Sequence, residues 1–216
     1  MTEPVDLYVS FRSPFSALAM PDYRALARDL DIAIRLRPVL PLAVRKADFF
    51  RPENRPWVEH VRMDALRRAE MLGRVLIMPD PDPIVIDHAT MQVAAEQPHI
   101  HRLTRLGIEA ERRGRGLDFA VEVLGLIFSG TPDWNRGEHL ERAAQRAGLD
   151  LTAMEAALIG GDHDADIAAN QQALVASGHW GVPTGVVRGE PFFGQDRVDT
   201  LRWRLGTLGI GPRPGP

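Results

Sequence analysis

Apolar and polar positions near the start of the chain follow two different periods. Residues 7–10 form a short apolar run that is typical of a strand. A Ser-Pro step follows, and the helical spacing of apolar residues then predicts a helix over 14–30, with proline in its first turn. Residues 31–37 alternate between apolar and charged side chains, as in a half-buried strand. Strand, helix and strand in this order predict a right-handed, parallel βαβ unit.

Helical periodicity dominates the middle of the chain. After a loop over 45–56, helices are predicted at about 58–73, 87–96, 98–113, 117–129, 136–147 and 152–159, with a proline-rich connector over 78–83. Gly148 is placed to end one of these helices, and Thr152 with Glu155 forms a candidate capping box for the next.

The C-terminal part returns to strand patterns. A helix over 164–177 ends at Gly178, and residues 181–195 read as a hairpin that is entered through Pro183. Pro183 is a candidate for the cis isomer, which is uncommon in folded proteins and usually has a structural role. The residue before such a proline can turn its backbone toward a ligand. A last helix is predicted from about Asp196 to Gly206.

A βαβ unit, a helical middle and a ββα unit together predict an α/β, thioredoxin-like fold with a large all-helical domain inserted after the second strand. The predicted thioredoxin-like domain comprises residues 1–39 and 170–208 and is discontinuous. Residues 40–169 are assigned to the helical insertion, and residues 209–216 to a flexible tail.

The amino-acid composition limits the kinds of reaction and ligand that the chain can support. The 216 residues include no cysteine, so the chain offers no disulfide, no thiolate metal site and no C-x-x-C redox pair. Any thiol must therefore come from a ligand. A net charge of -3 gives no basic footprint for nucleic acid. No apolar run approaches the ~18–20 residues that span a bilayer, and the first residues lack signal-peptide regions, so we expect a cytoplasmic protein without membrane contact.

Three sequence elements resemble a known family when they are taken in order. They are Phe-Arg-Ser-Pro-Phe-Ser at 11–16, Val-Pro-Thr at 182–184 and Phe-Phe-Gly-Gln-Asp-Arg at 192–197. Together they resemble the 2-hydroxychromene-2-carboxylate isomerases, which have a DsbA-like fold and are kin of the kappa-class glutathione transferases. The resemblance implies glutathione as cofactor, cis–trans isomerisation of an aromatic catabolite or transferase chemistry, and a homodimer.

The resemblance also implies roles for individual residues. The thiol-contacting serine of the family corresponds to Ser13, and its cis-proline to Pro183, with Val182 offering backbone bonds to the cysteinyl part of glutathione. The turn that binds the γ-glutamyl group corresponds to Gln195 and Asp196. The chain departs from the family where Ser10 replaces the usual Asp and in the loop over 45–56, and these departures concern the aromatic substrate more than the glutathione site.

The substrate loop of the family contains an asparagine, and Asn54 corresponds to it. Together with Arg12, Asn54 is a candidate to stabilise negative charge on the substrate carbonyl. Trp57 is a candidate to line the substrate pocket. No metal is expected, because residues 162–166 begin like a calcium loop but lack its turn glycine and closing glutamate.

The chemistry that the resemblance implies suits these residue types. Glutathione reacts as its thiolate, and the start of a helix lowers a thiol pKa through unpaired N–H groups and the positive end of its dipole. Ser13, directly before Pro14, can donate a hydrogen bond to that sulfur. Asp196, at the start of the last helix, can pair with the α-ammonium group of glutathione.

Simpler interpretations exist for each candidate. Ser13 and Asp196 are also good helix caps, and Pro183 could be an ordinary trans proline at a strand edge. Arg12 could serve a surface ion pair, and Asn54 could form a turn. For the whole protein, the alternatives are a disulfide oxidoreductase, which the missing cysteines argue against, and a non-catalytic protein that binds thiol ligands.

Overall fold

The structure is a computed structural model that describes residues 2–46, 49–87, 90 and 92–214. The strands in these ranges are β1 (Glu3–Val9), β2 (Ile32–Pro38), β3 (Ile86–Asp87), β4 (Gln92–Val93), β5 (Thr184–Val187) and β6 (Glu190–Phe193). The α-helices are α1 (Pro14–Asp29), α2 (Leu42–Arg45), α3 (Arg55–Met71), α4 (Pro98–Arg112), α5 (Gly116–Ile127), α6 (His139–Arg146), α7 (Leu151–Leu158), α8 (His163–Ala176) and α9 (Val198–Thr207). Two 3-10 turns, Pro52–Asn54 and Gln195–Arg197, precede α3 and α9.

The main sheet has the order β2-β1-β5-β6 in the described residues. β1 is parallel to β2 and antiparallel to β5, and β6 is antiparallel to β5. The predicted βαβ unit, the terminal hairpin and the thioredoxin-like class are therefore confirmed. β1 begins four residues earlier than predicted because its outward positions are charged. Asp6, for example, accepts hydrogen bonds from Arg35 and Arg37 on the neighbouring strand.

Most of the helices in the middle segment lie within a few residues of their predicted positions, but the predicted helix over 87–96 is wrong. Ile86 pairs with Val93 and Asp87 with Gln92 in a short antiparallel hairpin, while residues 88, 89 and 91 lie outside the described residues. The buried Gln97 side chain stabilises this hairpin. Its amide accepts the Val85 N–H and donates to the Val85 and Ala94 carbonyls, each at 2.8 Å. Helices make up most of the described part of residues 40–169, with this hairpin and connecting loops between them.

The ends of two helices differ in how well they were predicted. Gly148 follows α6 with a φ of +76° and donates to the Gln145 carbonyl, as predicted for the residue that ends this helix. The predicted capping box is wrong, because Asp150 caps α7 by accepting the Ala153 N–H at 3.0 Å. Thr152 consequently lies inside the first turn of α7. α3 also starts three residues earlier than predicted, inside the expected loop over 45–56.

Contacts near the C-terminus bear on the predicted boundaries. The boundary proposed between residues 169 and 170 falls inside α8. In the segment expected to be a flexible tail, Pro212 forms a β-bridge with Leu30. The Arg213 side chain donates to the Ala27 and Ile32 carbonyls. These contacts hold the described part of the segment against α1 and β2, whereas residues 215 and 216 lie outside the described residues. The division into domains stays a prediction.

The core lies between the sheet and the surrounding helices. Its centre is formed by fully buried side chains of β1, α1 and α5, namely Val5, Leu7, Val9, Leu18, Tyr23, Leu26, Phe119, Val123 and Leu124. Across the described ranges, no helix is long and apolar enough to cross a membrane.

Candidate functional site

A cavity of about 410 Å³ opens where the start of α1, the helix α2 and the segment before β5 meet. Ser10, Ser13 and Val182 contribute polar atoms to its lining, and two arginines, Arg12 and Arg45, add positive charge. Its aromatic lining residues are Phe15, Phe49, Trp57, Trp180 and Phe193. A largely apolar cavity of this size, with a few polar groups at one place, is typical of a small-molecule site.

A larger hollow of about 510 Å³ lies between α1 and α5. Its described lining includes no aromatic side chain and none of the candidate site residues that the sequence singled out. We therefore take the aromatic cavity as the candidate site.

Ser13 lies at the N-cap of α1, and Pro14 is the first residue of the helix. Its Oγ accepts the Ser16 N–H at 3.1 Å, as the cap interpretation predicted. The same hydroxyl donates to the Val182 carbonyl at a long 3.4 Å. Because this second bond is weak, the hydroxyl proton can turn to a better acceptor in the cavity without a large cost.

Two backbone N–H groups beside Ser13 remain available. Phe15 and Val182 both line the cavity, and within the described residues neither N–H group forms a hydrogen bond. The Val182–Pro183 peptide bond is cis, which confirms the isomer suggested by the sequence. A hydroxyl and two N–H groups at the start of a 16-residue helix can together hold an anion such as a thiolate. The thiol role of Ser13 and the ligand role of Val182 and Pro183 stay predictions.

Gln195 and Asp196 are absent from the residues that line the described cavity. The Gln195 side chain is buried, donates to Asp22 at 3.1 Å and accepts from Arg68 at 2.5 Å. Asp196 is exposed and lies 3.5 Å from Arg197. Of the two predicted γ-glutamyl contacts, Asp196 thus has an exposed side chain and Gln195 a buried, hydrogen-bonded one, and their ligand role stays a prediction.

The turn itself requires glycine before it. Gly194 has a φ of +114°, and a Cβ there would also lie 2.6 Å from Asp196 Oδ1. The N–H groups of Gln195 and Asp196, in the 3-10 turn before α9, make no hydrogen bond to other described residues. The glutathione-binding role of this turn, two residues beyond the cavity-lining Phe193, stays a prediction.

The substrate candidates are placed differently from one another. Arg12 lines the cavity, but its Nε and Nη2 bind both oxygens of Asp82, at 2.7 and 2.8 Å. Trp57 lines the cavity and packs edge-on against Phe49, with 5.6 Å between ring centroids. Asn54 lies at the N-cap position of α3 and does not line the described cavity. The structure thus brings Arg12 and Trp57 to the site, whereas Asn54 is not among the residues that line it.

The sequence did not single out several residues of the cavity. Phe193 stacks on His179 at 3.8 Å between ring centroids, and Trp180 stacks on the same imidazole at 5.3 Å. Burial lowers the pKa of His179, and its Nδ1 accepts the Gly181 N–H at 2.9 Å, which requires that nitrogen to be unprotonated. Phe193 lies inside the quoted motif at 192–197, and Trp180 directly precedes the hairpin segment, so proximity to the proline hairpin was the signal that could have identified them. Arg45 and Phe49 lie in the segment expected to be a loop, where no periodicity marks them.

Metal binding has no support from side-chain geometry. In the part of the chain that the structure describes, no group of three or more His, Cys, Asp or Glu side chains could hold a metal ion. The acidic stretch at 162–166 instead pairs with arginines, as where Arg112 binds Asp162 and Asp166.

Residues 4–206 match the family model described as the DSBA-like thioredoxin domain. Among solved structures, a 2-hydroxychromene-2-carboxylate isomerase aligns with a TM-score of 0.68 and 21% identity, over 95% of this chain and 96% of that chain. A probable DsbA oxidoreductase from Streptomyces coelicolor aligns with a TM-score of 0.62 and 15% identity, over 99% and 92%. The cytosolic disulfide reductase DsbM from Pseudomonas aeruginosa, solved with GSH, aligns at 0.58 and 16%, over 95% and 98%. No curated protein matches the chain. At these identities the likeness to solved structures concerns the fold.

Proposed function

This chain belongs to the family of DsbA-like thioredoxin domains, and we propose that it acts as a glutathione-dependent cis–trans isomerase of a conjugated aromatic compound. The observation that carries the proposal is that one cavity contains both the hydrogen-bond donors and the aromatic lining. Ser13, Phe15 and Val182 place a hydroxyl and two open N–H groups at one side, and aromatic side chains line the rest. The same space can therefore receive a thiolate and a flat hydrophobic substrate.

The missing cysteines favour a ligand thiol over disulfide exchange. Two of the structurally similar proteins are disulfide-handling proteins by name. Oxidoreductases of the thioredoxin type use a C-x-x-C pair at the start of this helix. Here Ser13 and Ser16 stand at that spacing, and the chain has no cysteine. A serine cannot exchange disulfides, but it can donate a hydrogen bond to the sulfur of another molecule.

When bound, glutathione would supply a thiolate nucleophile that adds reversibly to the conjugated double bond and so permits rotation about it. Ser13 would stabilise the anionic sulfur through its Oγ–H, and the N–H groups of Phe15 and Val182 would add to this stabilisation. Asp196 and the open N–H groups beside it would orient the γ-glutamyl end. Arg12, held in place by Asp82, would direct its remaining Nη1 donors toward negative charge on the substrate carbonyl.

Aromatic side chains would orient the substrate and exclude water. Phe49 and Trp57 contact each other edge-on at one part of the lining, and Phe193 is stacked on His179 at another. Rings held in this way offer apolar area with little remaining freedom to lose on binding. A cytoplasmic location, expected from the sequence, and a homodimer, implied by the family resemblance, remain part of the proposal.

Turnover of 2-hydroxychromene-2-carboxylate with and without glutathione tests the proposal. We expect wild-type activity to require glutathione, and Ser13→Ala to lower kcat by about 10²-fold, the cost of removing one donor from a developing or bound anion. Ser16→Ala is the matched control. Its Oγ is buried and has no partner in the described residues, so the substitution should leave activity unchanged.

Other outcomes of these measurements would assign a different function to the site or refute the proposal. Release of a stable glutathione conjugate would assign a transferase reaction to the same site. Glutathione binding without turnover of any aromatic α,β-unsaturated acid or chlorinated aromatic would leave a thiol-binding protein. No binding at millimolar glutathione would refute the proposed cofactor.

A further inference from the structure

The two arginines in the cavity differ in their electrostatic state. Arg12 is neutralised by a bidentate ion pair with Asp82, and its side chain is only 21% exposed. Arg45, at the end of α2, forms one side-chain hydrogen bond to the residues that the structure describes, from Nη2 to the Trp180 carbonyl at 3.1 Å. No described carboxylate pairs with Arg45, and its buried Nε has no hydrogen-bond partner among the described residues.

The hydrogen bonding of the Arg45 guanidinium is therefore incomplete within the described residues. Burial lowers the pKa of Arg45, because the cationic form loses hydration. A buried charge and a buried unpaired donor both cost free energy, which a bound counter-ion can recover. The planar fork of an arginine matches the two oxygens of a carboxylate better than it matches any single acceptor.

The surroundings of Arg45 indicate what kind of molecule carries the carboxylate. Phe49 and Trp57 line the same cavity within the chain segment that follows Arg45, and Trp180 supplies the carbonyl that fixes the guanidinium. Lys46 lies over the Trp180 ring at 5.5 Å from its centroid and adds a second positive charge at this end. Flat apolar walls beside an unpaired cation suit an aromatic acid.

We propose that Arg45 binds the carboxylate of a ligand inside this cavity. Two ligands of the proposed function carry such a group, namely an aromatic acid substrate and glutathione through its glycyl end. The inference rests on the proposed function for this pairing of ligands. It does not need turnover, because binding of an aromatic acid can be measured without glutathione.

Calorimetric titration with two matched ligand pairs tests the assignment. The first pair is cinnamate and its neutral isostere cinnamamide, and the second is glutathione and its glycyl ethyl ester. In wild type, the acid of at least one pair should bind about ten- to a hundredfold more tightly than its neutral partner, as expected for a charge-assisted pair. Arg45→Gln should reduce this ratio of acid to neutral-ligand affinity to about one. Arg45→Lys should keep part of the preference, because lysine retains the positive charge but lacks the planar fork of arginine.

Arg142→Gln is the matched control, because Arg142 is exposed on α6 and pairs there with Glu138. It should leave both ratios unchanged. Loss of the cinnamate ratio in Arg45→Gln identifies the aromatic acid as the source of the carboxylate, and loss of the glutathione ratio identifies the glycyl end. If both ratios survive in a folded Arg45→Gln variant, or if neither acid is preferred in wild type, the proposal is overturned. Failure of turnover alone would refute the isomerase and leave this result intact.

Discussion

Asp22 connects α1, the segment after α3 and the turn at Gln195, and removing it should destabilise the protein strongly. Asp22 lies on α1. It accepts a hydrogen bond from Nη1 of Arg74, a residue that follows α3, at 2.9 Å, and another from the Gln195 amide at 3.1 Å. Arg74 also donates to the Leu18 carbonyl at 2.5 Å. Arg68 completes the network by donating to Gln195.

The magnitude follows from what Asp22→Ala leaves behind. The ion pair is partly buried, with side chains 25% and 29% exposed, so solvent screens only part of its contribution. The Gln195 amide is almost fully buried and would lose its acceptor, which alone costs about 1–3 kcal/mol. With the lost charge-assisted bonds to Arg74, we expect the free energy of unfolding to fall by about 2–4 kcal/mol.

Urea and thermal unfolding, followed by circular dichroism, measure this loss. At about 2–4 °C per kcal/mol for a chain of this size, Tm should fall by roughly 4–16 °C. Asp22→Asn should be intermediate, because it keeps one acceptor but loses the charge. Asp118→Asn is the control, since its pairs with Arg24 and Arg115 are exposed and long, at 3.6 and 3.4 Å. An Asp22→Ala variant no less stable than this control would refute the reasoning.

Two further substitutions probe other parts of the structure. Burial is the largest single influence on the pKa of Glu109 and raises it, but the hydrogen bonds and positive charges of His163 and Arg113 together outweigh it, so the pKa is below its ordinary 4.5. The ionised Glu109 therefore stabilises the fold above pH 4.5, and this stabilisation is lost as the pH falls below that value. In Glu109→Gln, the free energy of unfolding measured in urea should consequently decrease less between neutral and acidic pH than in wild type. An equal decrease in both proteins would contradict this. A Cβ on Gly181 would lie 2.6 Å from the Phe193 ring, so Gly181→Ala should raise substrate KM and cost about 1–3 kcal/mol in urea unfolding. Gly206→Ala, which meets no atom within 4 Å, should do neither, and equal effects of both alanines would contradict the steric argument.

Features set by neighbouring residues could be predicted from the sequence. The individual strands and helix of the βαβ unit, the candidate cis proline at 183 and the end of α6 at Gly148 were each signalled by residues within a few positions of one another. The position of Ser13 at the start of α1 followed in the same way, because Pro14 fits the first helical turn. The fold class followed from the order of these local units.

Features set by distant partners could not be predicted. The strands around residue 90 depend on the Gln97 amide, whose bonding a helical pattern does not reveal. Gln195 matched a ligand-binding motif, yet its side chain bonds to Asp22, 173 positions away. Arg45 meets the Trp180 carbonyl across 135 positions. No local sequence pattern encodes such pairs. Which of the two cavity arginines has a described carboxylate partner could therefore be seen only in the structure.

The pKa of the glutathione thiol in the bound state tests the central claim most directly. It is followed by the ultraviolet absorbance of the thiolate during a pH titration of wild type, Ser13→Ala and Ser16→Ala. The account predicts a wild-type value well below the roughly 8.5 of a free thiol, an increase of about one to two pH units in Ser13→Ala, and no change in Ser16→Ala. A bound thiol that titrates like free glutathione in wild type, or equally in all three proteins, would contradict it.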